Sequence, residues 1–386
     1  MTARLRHRGP DGEGQWLSAD GTAGLCHTRL AIVDLSPAGA QPMRSHDGTC
    51  VLSFNGEIYN WRDLRAELAA AGWAFRSQCD SEVLLVAWRA WGEAMLPRLR
   101  GMFAFALYDE EQRLLFCARD RVGKKPFVYA AGARGFAFGS EIPAILTIAS
   151  EIGADTAPDH GALATMLLHN LRHIPDPATA YRGLRRLRPG HAMLVREGRI
   201  LKTWRYWDVA GEIAAAHALA EGGAPAVRAA LEEAVDLRSF ADVPVGSLLS
   251  GGTDSSAITA LAQLRSSEPL RTYAFGLDAE DEDLRRARKM SKKLGTLHRE
   301  FYFDPSEHWP IFCKLIAAYG EPIMSFPLLY AYQLCRAISA DGIKVVLAGH
   351  GADELFYGYP GHLTTARLSR GIGLVVIDNL GTGASL

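Results

Sequence analysis

The segment Leu248–Ser256 reads L-L-S-G-G-T-D-S-S, and its residue types suit the binding of a polyanion. It follows the apolar run Val243–Leu249, read as a buried strand, and leads into a helix expected from about Asp254 to Leu264. Gly251 and Gly252 let the backbone approach an anion closely, while a helix N-terminus offers free N–H groups at its positive end. Ser250, Ser255 and Ser256 add hydroxyl donors. No G-x-x-x-x-G-K-[ST] occurs anywhere, so a Walker-type P-loop is excluded. A Gly/Ser-rich helix cap without a ligand is the plainer alternative. A second run, V-V-L-A-G-H-G-A-D-E-L-F-Y-G-Y at Val345–Tyr359, also lies at the end of an expected strand. Its neighbouring carboxylates, Asp353 and Glu354, taken alone would be an ordinary solvated turn.

These segments need a sheet to hold them, and the second half of the chain supplies one. Beyond residue 223 the rhythm is strand, helix, strand: Thr272–Gly276, Arg299–Phe303 and Lys344–Ala348 read as strands, Asp283–Leu294, Ile311–Ala318 and Leu328–Ser339 as helices. Such alternation implies a parallel sheet with helices on both faces. Up to about Asp208 the pattern differs. Gly101–Asp109 with Arg113–Arg119, and Phe127–Ala131 with Gly135–Gly139, read as hairpins. Trp61–Ala71 and Ser81–Trp91 read as helices, the second with Asp80 as N-cap. This half is an α+β, sheet-rich domain, and the Ala/Gly-rich stretch Ala210–Gly223 reads as the linker between the two.

Bulk properties set the frame. At ~150 residues per domain, 386 residues suggest two or three domains. With 48% hydrophobic and 22% charged residues the chain has the balance of a globular protein with a sizeable core. A net charge of -1 leaves no footprint for nucleic acid or an anionic membrane. No apolar run approaches the ~20 residues of a membrane span, and the first residues lack the apolar stretch of a secretory signal. The six cysteines, Cys26, Cys50, Cys79, Cys117, Cys313 and Cys335, form no C-x-x-C pair and read as reduced, mostly buried thiols. Zinc is not expected.

The two second-half motifs resemble those of a known family. L-S-G-G-T-D-S-S is similar to the S-G-G-x-D-S signature of N-type ATP pyrophosphatases, and Val345–Tyr359 resembles the [ST]-G-[ED]-G-x-D-E-x-F-x-G-Y segment of asparagine synthetases. The resemblance implies that Leu248, Ser250, Gly251, Gly252, Asp254, Ser255, Ser256, Phe275, Ala348 and Gly349 surround ATP. It also implies that Asp254 and Asp353 coordinate Mg²⁺ on the pyrophosphate, and that Tyr359 lies near the acyl substrate. One departure stands out: the family carries an acid where this chain has His350, here taken as a candidate catalytic residue that is either a substitute acid/base or a mark of altered chemistry. Thr253, where the family usually has Leu, looks minor.

In the first half, His7–Gly14, His27–Pro42, Phe54–Asn60, Asp80–Glu82, Arg100–Asp109 and Ala118–Pro126 resemble the glutaminase domain of the same enzymes. By that resemblance the Asn55 side chain and the Gly56 N–H form an oxyanion hole, Arg29 grips the α-carboxylate of glutamine, and Glu57 and Asp80 hold its ammonium. The family nucleophile is a processed N-terminal cysteine, whereas Thr2 follows Met1 here. The expectation is therefore that Met1 is an internal methionine, that Thr2 is no nucleophile, and that Cys26 belongs to the core.

The resemblance implies an α+β Ntn-hydrolase-type glutaminase sandwich at 1–208, a linker at 209–225, an α/β parallel-sheet (adenine nucleotide alpha hydrolase-like) synthetase domain at 226–362, short of the family's C-terminal region, and a divergent tail at 363–386. The implied activity is ATP- and Mg²⁺-dependent amidation of aspartate through β-aspartyl-AMP, with glutamine or ammonia as nitrogen donor and glutaminase activity deficient. An amidotransferase acting on another carboxylate and a non-catalytic nucleotide-binding remnant are the alternatives. Glutamine, aspartate and ATP are the expected partners, with neither nucleic acid nor membrane, in a cytoplasmic protein for which a homodimer is the candidate assembly.

Overall fold

The computed structural model describes residues 1–216, 223–356, 358–359 and 361–362. Two compact units divide the chain: Met1–Glu221 with Cys313–Met324, and Gly222–Phe312 with the chain from Ser325 onward.

The first unit is organised by a six-stranded antiparallel sheet. Its strands are β3 (Met43–Arg44), β4 (Cys50–Ile58), β5 (Gly101–Asp109), β6 (Leu114–Arg119), β10 (His191–Arg196) and β11 (Arg199–Arg205), in the order β11-β10-β6-β5-β4-β3. Side-chain alternation makes β5 apolar on both faces. Phe105 meets Phe116 edge-on, and Phe116 stacks on Trp88 of the helix Asp80–Trp91 at 4.6 Å between centroids. On the other face Ala104, Ala106 and Cys117 pack with Phe127, Phe136 and Phe138. Phe136 and Phe138 belong to β8 (Gly135–Gly139) of a three-stranded sheet completed by β7 (Val128–Gly132) and β9 (Leu184–Arg186). Each fully buried Phe contributes ~1.5–3 kcal/mol, and small alanines let the two sheets approach. A separate hairpin, β1 (Gly12–Leu17) and β2 (Gly24–Arg29), places Arg29 opposite Gly12.

The second unit holds four parallel strands, β12 (Val245–Leu248), β13 (Arg271–Gly276), β14 (Leu297–Tyr302) and β15 (Val345–Leu347), ordered β14-β13-β12-β15. The expected alternation is present, with helices on both faces. Adjacent residues of β13 show it: Ala274 packs with Leu284 and Ala287 of the helix Glu282–Leu294, while Tyr273 packs with Ile338 of the helix Pro327–Ala340. From β12 the chain adds strands outward on one side, then returns to place β15 on the other. That reversal is a switch point, and the loops after β12 and β15 flank it; ligand sites of such sheets sit there.

Several expectations are corrected. Asp80 is not an N-cap; Cys79 holds that position, and Asp80 is the first helical residue. Its carboxylate instead accepts the Ile58 backbone N–H at 2.9 Å, closing the end of β4. The Ala/Gly-rich stretch Ala210–Gly223 contains the division between the two units and so keeps its reading as a linker; the helix Val209–Ala216 covers its start, and Gly223 opens a 17-residue helix to Ser239. Ala, Leu, Glu and Arg suffice for helix formation without bulky anchors. Cys50, Cys79 and Cys117 are buried as expected, but Cys313 and Cys335 are exposed. Both lie on helices that bury other positions: Ile311 on one, Leu329, Gln333 and Ile338 on the other. The tail at 363–386 lies outside the described residues. No described helix is long and apolar enough to cross a membrane.

Candidate functional sites

In the first unit a cavity of about 320 Å³ is lined by Arg29, Asn55, Gly56, Glu57 and Asp80 together. Residues spread over more than fifty positions of sequence thus share one wall. The reason is β4, which carries Asn55, Gly56 and Glu57 in succession, with Asp80 bonded to the neighbouring Ile58.

Arg29, Asn55, Gly56 and Asp80 are each fixed by their surroundings. The Arg29 guanidinium donates to the carbonyl of Ser36 at 3.0 Å and to that of Asp34, so the loop after β2 fixes its plane. Gly39 closes on the same group; a Cβ there would lie 2.3 Å from Arg29 Nη2. Asn55 Nδ2 is buried with no hydrogen-bond partner among the described residues. An orphaned donor of this kind costs about 1–3 kcal/mol, which an acceptor on a ligand recovers. Gly56 is required by space: a Cβ would stand 2.2 Å from the Met102 carbonyl oxygen of β5. Burial pushes the Asp80 carboxyl up to about 6, against the hydrogen bond from Ile58.

Gln41 and His27, which pattern reading did not single out, also build this wall, as do two cysteines. Gln41 behaves as a short piece of strand, accepting from Phe54 N at 2.7 Å and donating to Phe54 O at 3.2 Å and Ser81 Oγ at 3.3 Å. It pins β4 just before Asn55. His27 is pushed down to about 4 by desolvation and by Arg29, so it stays neutral; Ser53 Oγ lies 3.5 Å from its Nδ1. Cys26, expected in the core, is half-buried and lines the cavity. Cys79 lines it too, but burial and the nearby Asp80 raise its thiol to about 12.

In the second unit the expected nucleotide residues lie at the switch point. Gly251 has φ of +77°, and a Cβ there would meet Arg286 Cβ at 2.5 Å, so the loop lies flat on the helix Glu282–Leu294. Gly252 is the N-cap of the helix Thr253–Arg265, which has no side-chain cap, leaving its first N–H groups for another acceptor. Ser255 Oγ lies 2.9 Å from Ser250 Oγ and closes the turn. Ser256 Oγ is buried without a partner among the described residues. Gly349 ties in the second motif: a Cβ on it would stand 3.0 Å from Asp254 Cβ. Ala348, Gly349 and Asp254 therefore meet, and the helix Ala352–Phe356, carrying Asp353, begins three residues later.

The remaining residues are placed as follows. Leu248 packs beside Tyr273, Ile338 and Ile343, and Phe275 sits among Phe303 and Tyr330 with centroids 6.2 and 5.5 Å away. Tyr359 donates to Glu354 Oε1 at 3.1 Å, and His350 is exposed on the loop after β15. No group of three or more metal-ligating side chains exists among the described residues. Asp254, in the first turn of the uncapped helix next to the glycine loop, is a donor that suits Mg²⁺, which takes one or two carboxylates and completes its shell with phosphate and water; Asp353 lies four residues beyond Gly349.

Comparison with known proteins agrees with both halves. Residues 1–207 match the glutamine amidotransferase domain family, and residues 226–376 match the asparagine synthase family. A putative glutamine-hydrolysing asparagine synthetase of Mycobacterium bovis is 37% identical over 92% of this chain and 55% of its own length. Asparagine synthetase 3 of Bacillus subtilis is 36% identical over 93% of the chain and 60% of its length. A putative asparagine synthetase of Methanocaldococcus jannaschii is 30% identical over 95% of the chain and 73% of its length. The chain thus spans little more than half the length of the first two.

Proposed function

The chain belongs to the glutamine-hydrolysing asparagine synthetase family, and from that premise we propose that it carries out the ATP-dependent amidation of aspartate through β-aspartyl-AMP. The observation that carries this reading is the meeting of Gly349 with Asp254 at the switch point of the parallel sheet. Ser250–Ser256 cradle the pyrophosphate portion of ATP with backbone N–H groups and hydroxyls, and Ala348 and Gly349 border the nucleotide. Leu248 and Phe275 line the adenine and ribose side, and Tyr359 faces the acyl substrate. Asp254 and Asp353 hold Mg²⁺, which when bound neutralises charge on the departing pyrophosphate. A second-unit fold of the adenine nucleotide alpha hydrolase type and an Ntn-hydrolase-type first unit are part of the same proposal, as are domain limits of 1–208 and 226–362 and a cytoplasmic setting.

The first unit supplies the glutamine pocket, with Arg29 on the α-carboxylate, Glu57 and Asp80 on the ammonium, and Asn55 with Gly56 at the γ-carbonyl oxygen. The orphaned Asn55 amide supports that last role. Of the two pocket thiols, burial and the neighbouring Asp80 keep that of Cys79 protonated. Glutamine binds in this pocket, and glutamine or free ammonia is the nitrogen donor. His350, in place of an acid, favours a second reading in which the site binds nucleotide but turns over slowly. Aspartate-dependent exchange of labelled pyrophosphate into ATP tests the proposal. Exchange that needs aspartate supports it, whereas exchange driven by another carboxylate, or none while ATP still binds, refutes aspartate as the acyl substrate.

A further inference from the structure

Lys125 lines the glutamine cavity, and nothing in the proposed function uses it. The turn that carries it is built by Asp120, buried just after β6. Asp120 accepts the backbone N–H groups of Val122 at 3.2 Å, Lys124 at 2.9 Å and Lys125 at 2.9 Å. Its Oδ2 also takes the Phe103 N–H at 3.2 Å. Phe103 is the residue of β5 paired with Gly56 of β4. One buried carboxylate therefore ties the Lys125 backbone to the strand position facing Gly56. Arg119 Nε, donating to the Lys125 carbonyl at 2.8 Å, holds the other side of the residue.

The side chain differs from the other two basic groups of the cavity wall. Arg8 is paired with Glu141 at 2.9 Å, and Arg29 is held by loop carbonyls. The Lys125 ammonium makes neither a hydrogen bond nor an ion pair with any described residue. Desolvation lowers its pKa and Arg8 adds to the effect, while Glu57 and Asp120 oppose it. A partly desolvated cation with no fixed counter-ion among the described residues thus lines the pocket, on a turn tied to the strand position that faces Gly56.

We propose that Lys125 recognises negative charge at the γ position of the bound amino acid, so that the pocket distinguishes the dicarboxylate L-glutamate from L-glutamine. This rests on the glutamine pocket proposed above. A neutral γ-amide offers the ammonium only a carbonyl dipole. A γ-carboxylate, or an oxyanion at the same carbon, gives it a charge-assisted hydrogen bond where water is scarce. Lys125 is then the residue that senses whether the γ-amide is still in place.

Calorimetric titration of the 386-residue chain with L-glutamate and L-glutamine, repeated on Lys125→Met and Lys125→Arg, tests the assignment. The glutamate-to-glutamine affinity ratio is expected to fall about tenfold or more in Lys125→Met, the size of one hydrogen bond to a charged group. Lys125→Arg should restore most of it. Should Lys125→Met fail to fold, Lys125→Gln provides the same neutral comparison. An unchanged ratio in a folded neutral variant overturns the role of Lys125 and leaves the pocket standing. Binding of neither amino acid by the wild type overturns the pocket, and the role of Lys125 with it.

Discussion

Asp80 should weaken the fold in order to serve the pocket, and Asp80→Asn separates the two effects. Its carboxyl is buried and pushed from 3.8 up to about 6. A folded-state value above the unfolded one means the native state holds its proton more tightly. That contribution is fully present below about pH 3.8 and is lost as the pH rises towards 6. A shift of roughly 2 units corresponds to about 3 kcal/mol, an upper bound reached at pH 7 and above. Asparagine keeps an oxygen acceptor for the Ile58 N–H and carries no charge to desolvate. Asp80→Asn should therefore be more stable than wild type at pH 7.5 by up to about 3 kcal/mol, with the gain shrinking to near zero by pH 4. Urea unfolding followed by tryptophan fluorescence reads the first unit, since of the 8 tryptophans only Trp309 lies in the second. The same variant should bind glutamine at least tenfold more weakly, as one charged hydrogen bond to the ammonium is lost. A stability difference independent of pH, or glutamine affinity that rises, refutes the assignment of Asp80.

Gly56→Ala places a methyl 2.2 Å from the Met102 carbonyl oxygen, so it should abolish glutamine binding in calorimetry and lower the melting temperature of the first unit while leaving ATP affinity intact. Unaltered glutamine binding would remove the β4–β5 contact from the argument. His350→Glu should raise ammonia-dependent asparagine formation about 10²-fold or more, the value of a missing acid–base group. Equal rates in the two proteins would show that imidazole is tolerated there.

Much of the second unit was readable because its signals are local. Glycines at 251 and 252 after an apolar run, followed by a helical period, leave few alternatives, and strands and helices fell close to their expected limits. The hairpins around β5 and β7 were readable for the same reason. What escaped depends on partners distant in sequence. Gln41 acts as backbone for Phe54, which no periodicity announces. Asp80 looked like a helix cap because acids before helices usually are, yet the end of β4 claimed its carboxylate. The helix Gly223–Ser239 buries Val235 and little else, so no apolar stripe marked it. Lys125 owes its place to Asp120 and Phe103, a tertiary arrangement invisible in G-K-K-P alone.

The central claim is that the loops after β12 and β15 form one Mg²⁺-dependent nucleotide site. Calorimetric titration with ATP, with and without Mg²⁺, on wild type and Asp254→Asn tests it most directly. The wild type should bind ATP more tightly with Mg²⁺ than without. Asp254→Asn should lose that increment, about 10–100-fold or more for a metal-site residue, while keeping the metal-free affinity supplied by the backbone cradle. Equal Mg²⁺-dependent affinity in the two proteins would remove Asp254 from the metal site and contradict the account.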